Sequence, residues 1–150
     1  MEAVIETGRL DNVNHEWNRV KIDGSWYSLD VTNNDNEYMP NCYFNLPDEV
    51  ASAILLQDND AFLDSCMDQY TSEGMDYEYY NVMDLYTEDA EEAATMLADQ
   101  LSTDDGAVIR MDLNYGDADI AEIIQNALYQ SETEEAICYY NAGVIALMKK

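Results

Sequence analysis

His15 and Asp30 are the residues of this chain whose types and spacing best suit a reaction. Between them lies Asp23-Gly24, flanked by runs rich in aromatic and branched residues. Asp-Gly in that setting is a strong two-residue hairpin signal. Such a loop pairs Ile22 with Ser25 and, continuing outward, Trp17 with Asp30 and His15 with Thr32. His15 and Asp30 then point to one face as diagonal neighbours, about 7–8 Å apart at Cα, within reach of an imidazole and a carboxylate. One more loop residue would break this register. A carboxylate on one imidazole nitrogen fixes the tautomer and steadies the imidazolium. The other nitrogen is then free to take a proton from a thiol, giving the thiolate nucleophile of acyl transfer. Val20, Ile22, Tyr27, Leu29 and Val31 fall on the opposite face, the expected core face.

The segment from His15 to Thr32 resembles the catalytic core of bacterial transglutaminase-like proteins, in the papain-like cysteine protease superfamily. The matching positions are His15, Trp17, Asn18, Val20, Ile22, Asp23, Gly24, Trp26, Tyr27, Asp30, Val31 and Thr32. Tyr43-Phe44 and Pro47-Asp48-Glu49 resemble the segment that follows that core, so the likeness spans residues 3 to 56. The resemblance implies a Cys–His–Asp triad with His15 as base and Asp30 as its orienter. It also implies a protein or peptide substrate and a parent that is secreted or on the cell surface. The family's cysteine sits upstream, at the start of a helix, and no cysteine precedes His15 here. A second departure is Asn33, where the family often carries tryptophan.

The expectation is an incomplete domain from a protease or protein cross-linker, with the cysteine half of a truncated catalytic core missing and the chain inert by itself. The alternatives are a non-catalytic binding module of a bacterial surface protein and one subunit of a split enzyme. A homodimer or a missing Cys-bearing partner is the implied association. Cys42, beyond the polar loop after Asp30, has room to fold back toward His15, but packing is the better reading for Cys42, Cys66 and Cys138. These are all the cysteines, an odd count with no close pair, which is neither a disulfide framework nor a zinc pattern. Buried free thiols are the default. The oxygen-rich run Asp30 to Glu37 lacks the spacing of an EF-hand loop and is expected to be a solvated turn. No metal and no cofactor is called for.

The fold class expected is α+β: antiparallel strands of a truncated transglutaminase-like core over residues 1 to 74, then a small β-α-β-α-β module of unknown role over 75 to 150. In the first part, Val4-Ile5, His15 to Ile22 and Trp26 to Val31 read as strands, and 48–56 and 60–70 as helices. Pro47 stands at the first turn and Thr71 to Gly74 reads as a linker. In the second, Tyr79 to Tyr86 is a strand candidate, and the Tyr77, Tyr79 and Tyr80 cluster is expected to be buried rather than to form a sticky aromatic surface. Ala90, Ala93, Ala94, Leu97, Ala98 and Leu101 share one helical face. Ala107 to Leu113 is a strand, and Asp117 caps a helix with Ile120, Ile123, Ile124, Ala127 and Leu128 on its apolar face. Ala136 to Tyr140 and Val144 to Met148 are strands around Asn141-Ala142-Gly143.

Charge sets the class of partner. Thirty-two acids against six Lys and Arg give a net charge of −26, scattered along the chain. Such a surface repels nucleic acid and anionic lipid, which need basic patches. It also strains the compact state at low salt. A hydrophobic fraction of 47% leaves enough for a real core. No apolar run approaches membrane-span length, and Met1 to Glu6 lacks the basic start of a signal peptide.

Overall fold

The computed structural model describes residues 2–57 and 67–150. The fold is α+β, and the chain forms two compact units, residues 1–36 with 40–79 and residues 37–39 with 80–150.

The first unit is built on an antiparallel sheet in the order β3-β2-β1-β4. Its strands are β1 (Ala3–Leu10), β2 (Val13–Ile22), β3 (Ser25–Leu29) and β4 (Leu55–Gln57). Two tight turns set the register. Asp11 and Asn12 both take positive φ between β1 and β2, and Asp23 and Gly24 do so between β2 and β3. Left-handed pairs of this kind match the twist of the strands they join. Ile22 therefore pairs with Ser25, Val20 with Tyr27 and Asn18 with Leu29, the register the turn residues predict.

Three expectations fail here, each for a long-range reason. β3 ends at Leu29, because the Asp30 N–H donates to the Tyr43 carbonyl (3.1 Å) and leaves the sheet ladder. Val31 and Thr32 then enter a short helix, α1 (Val31–Asn34), so Thr32 never faces His15 across the sheet. The helix expected over 48–56 stops at Ile54 (α2, Asp48–Ile54). Leu55–Gln57 instead pair with Leu10, Arg9 and Gly8, covering the otherwise open edge of β1. The Thr71–Gly74 stretch is no linker: the Trp26 N–H donates to the Thr71 carbonyl (3.0 Å), and Tyr77 packs edge-on against Tyr27. This unit therefore runs to Tyr79. The expected helix 60–70 falls largely outside the described residues, as does Cys66.

The second unit has a sheet in the order β5-β6-β8-β7. After α3 (Tyr79–Val82), which begins at the unit boundary, it comprises β5 (Tyr86–Thr87), α4 (Ala90–Thr103), β6 (Gly106–Met111), α5 (Asp117–Gln130), β7 (Ala136–Asn141) and β8 (Val144–Lys149). β5 runs parallel to β6, with α4 as the crossover, and the other pairings are antiparallel. Ala93, Ala94, Leu97 and Leu101 of α4 and Ile120, Ile123 and Ala127 of α5 close on Ala107, Ile109 and Met111 of β6 and Ile145 and Leu147 of β8. Each stripe is too apolar to face water, and the sheet supplies the cover.

Tyr79 to Tyr86 is not a strand. A local bond from the Leu85 N–H to the Tyr80 carbonyl (2.7 Å) and a positive φ at Asp84 curl it into a helical turn, and only Tyr86–Thr87 join the sheet. Tyr80 is buried there all the same. Nor does Asp117 cap α5: Gly116 is the cap, and its N–H donates to the Asp119 carboxylate (3.0 Å). Among the described residues no helix is long and apolar enough to cross a membrane.

Candidate functional site

β2 positions His15 and the end of β3 positions Asp30. Asp30 retains extended backbone angles (φ −110°, ψ 92°), so its side chain keeps the direction a strand residue would have. The imidazole Nε2 lies 2.6 Å from Asp30 Oδ2. Asp30 is 2% exposed, whereas the His15 side chain is 21% exposed. An ionised carboxylate only accepts, so Nε2 carries the hydrogen. Nδ1 takes no hydrogen bond among the described residues. His15 lines a groove of about 660 Å³ together with Thr7, Gly8, Asn14, Glu16 and Thr32.

Asp30 does two further things. Its Oδ1 accepts the Asn33 N–H (3.3 Å), capping α1, and its Oδ2 accepts the Asn33 side-chain amide (2.7 Å). The loop beyond is folded by its own amides rather than left as a solvated turn. Asn34 donates to the Asn41 side chain (3.0 Å) and accepts from the Tyr43 N–H (3.1 Å). Those bonds bring the Tyr43 carbonyl to the Asp30 N–H.

The face that carries His15 is the better buried one, against expectation. Trp17, Trp26, Ser28, Glu6 and Asp30 are all buried there. On the opposite face Val20 and Tyr27 are buried, Ile22 and Leu29 only partly, and Ile5 is 66% exposed; Val31, in α1, is equally exposed. The reason is tertiary: Asp48 at the start of α2 reaches Arg19 and the Tyr70 ring meets Trp26 on this face, while β4 runs beside β1. Gly8 permits that approach, since a Cβ there would lie 2.1 Å from the Leu56 carbonyl oxygen and 2.7 Å from the Trp17 ring.

Charge is buried under this face as well. The Trp17 indole stacks beside the His15 ring, with centroids 6.3 Å apart at 22°. Its N–H donates to Glu6 Oε2 (2.8 Å). Glu6 is held in turn by Arg19 Nε (2.5 Å), and Arg19 Nη1 reaches Asp48 (2.8 Å) and the Tyr70 carbonyl. Burying Glu6 is tolerable only because both of its oxygens are paired. Glu6, Arg19 and Asp48 went unsingled by sequence reasoning. The available signal was an acid between Ile5 and Gly8 in a strand whose turn places it opposite Trp17.

Of the cysteines, Cys42 is buried at 2% exposure, while Cys138 on the edge strand β7 is exposed, contrary to the expectation of buried thiols. Desolvation nonetheless pushes the Cys138 thiol up from its ordinary pKa. The described partners of His15 are Asp30 and Asn33, and no cysteine is among them. The site thus holds a hydrogen-bonded His–Asp pair at the edge of a groove, with no described cysteine bonded to the ring. No model of a known protein family matches the chain, and no curated protein matches it.

Proposed function

We propose that this chain carries the base-and-orienter half of a thiol acyl-transfer site acting on amide or peptide bonds, and that it is inert until a cysteine is supplied to His15. The observation that carries the reading is the 2.6 Å contact between His15 Nε2 and the buried Asp30, which leaves Nδ1 without a hydrogen-bond partner among the described residues, beside a groove that His15 lines. In that arrangement Asp30 steadies the imidazolium while Nδ1 accepts the thiol proton. The thiolate then attacks the acyl carbon, and the imidazolium returns the proton to the departing amine. The dense likeness of His15 to Thr32 to transglutaminase-like cores supports the same chemistry.

The test compares the chain alone with a longer product that includes whatever the gene encodes upstream of Met1, and with any adjacent short gene product bearing a cysteine. Casein hydrolysis and amine incorporation are the assays. The chain alone should give no turnover, and a Cys-bearing partner should confer turnover that His15→Ala abolishes. Turnover by the chain alone that depends on His15, or by the completed protein without such dependence, overturns the reading. A cysteine on a separate product would make this a split enzyme.

A further inference from the structure

We infer that Asn33 is a positioning residue for the His–Asp pair: its side-chain amide clamps the Asp30 carboxylate so that the imidazole is held as one tautomer. The inference deepens the functional reading above, but the orientation it concerns is a property of this chain without any nucleophile.

A carboxylate that is 2% exposed needs donors around both oxygens. The described donors to Asp30 come from His15 and Asn33, and Asn33 supplies two of them. Its backbone N–H reaches Oδ1 (3.3 Å) and its side-chain Nδ2 reaches Oδ2 (2.7 Å). Only the amide nitrogen can face a carboxylate, so the orientation of the Asn33 side chain follows from chemistry. Asn33 Nδ2 also lies 3.2 Å from His15 Nε2. The ring hydrogen on Nε2 is engaged with Oδ2, so this is a side-by-side contact of two donors that converge on one oxygen. Their convergence stops rotation of the carboxylate about its Cβ–Cγ bond. The backbone bond to Oδ1 is longer and would not hold that angle alone. With the amide gone, Oδ2 is free to swing from the ring and the second tautomer becomes accessible. This gives a role to the position where the chain departs from the pattern it resembles.

The chain has a single histidine, so ring ¹⁵N spectra need no assignment. The experiment records the neutral His15 imidazole in the parent chain, in Asn33→Ala and Asn33→Leu, and in Asp30→Ala as the unanchored reference. Backbone amide spectra report folding. The parent should show two well-separated ring nitrogens, the mark of one Nε2–H tautomer. Both Asn33 variants should show the two shifts converging toward the Asp30→Ala values, with the Nε2–H proton lost to exchange. If Asn33→Ala fails to fold, Asn33→Leu, which fills similar space without a donor, decides. Folded variants that keep the separated pattern overturn the inference. So does loss of fold in both, because Asn33 would then be structural. An inactive completed enzyme would leave these spectra unchanged, so the two proposals fail separately.

Discussion

Glu6 shows how much rests on one side chain. It accepts from Trp17 and from Arg19 on the buried face of the sheet. Glu6→Gln keeps an acceptor for the indole but removes the charge that balances the guanidinium. Breaking a buried ion pair from one side costs about 3–5 kcal/mol. Asp48 remains on Arg19, so the lower end is expected, about 3 kcal/mol in urea unfolding. A loss below about 1 kcal/mol would mean that the charge is solvated there. Cys138 offers a second residue-level check. Its pKa is raised by desolvation, so at any pH near neutrality less of it is thiolate than of an unperturbed cysteine. The thiolate is the reacting form. Alkylation by iodoacetamide at pH 8 should therefore be slower at Cys138 than at a cysteine in an unstructured peptide, and should reach the peptide rate in denaturant. Equal rates before denaturation would contradict the desolvation argument.

At the scale of elements, the second unit separates capping from packing within one helix. Asp89 Oδ1 accepts the Glu92 N–H (2.8 Å) at the start of α4, with acids in the first turn against the helix dipole. Leu97, fully buried in the same helix, meets the sheet. Asp89→Ala should cost about 1 kcal/mol, and Leu97→Ala about 2–5 kcal/mol through the cavity it leaves. Thermal or urea unfolding of both variants checks the order, and a reversal would place the helix's stability in its ends rather than its face. The apolar stripe of α4 was legible in the sequence because a period of 3.6 residues has few competing explanations. The strand proposed for Tyr79 to Tyr86 was not, because tyrosine-rich runs suit any half-buried surface and a local hydrogen bond decided the outcome.

The whole molecule is governed by its charge. A net charge of −26 raises the energy of a compact state, and neither unit carries the bases to neutralise it. Salt shortens the Debye length from about 30 Å at 0.01 M to about 3 Å at 1 M. The Tm should therefore rise by several degrees across about that range, and sodium chloride and potassium chloride should act alike if screening is the cause. A Tm that falls with salt would point to attractive surface pairs as the dominant electrostatic effect. Lys21–Glu2 and Lys150–Glu135 are exposed pairs of the kind that contribute little either way.

Turn chemistry is local, and for that reason the chain's own residues determined the hairpin. Asp23 and Gly24 tolerate the positive φ that a tight hairpin turn demands, the two-residue turn sets which residues face each other, and His15 and Asp30 meet as a consequence. The helical stripes of the second unit were determined in the same way, by side chains a few positions apart. Only the tertiary structure decided which face of the hairpin is buried, since both faces carry apolar residues and the choice depends on where Asp48 and Tyr70 return. It also decided that Glu6, Arg19 and Asp48, far apart in the chain, share one buried network. Asn33 acquired its place because Asp30 left the sheet to cap a helix, and that departure depends on a carbonyl at Tyr43 which no spacing around Asp30 foretells.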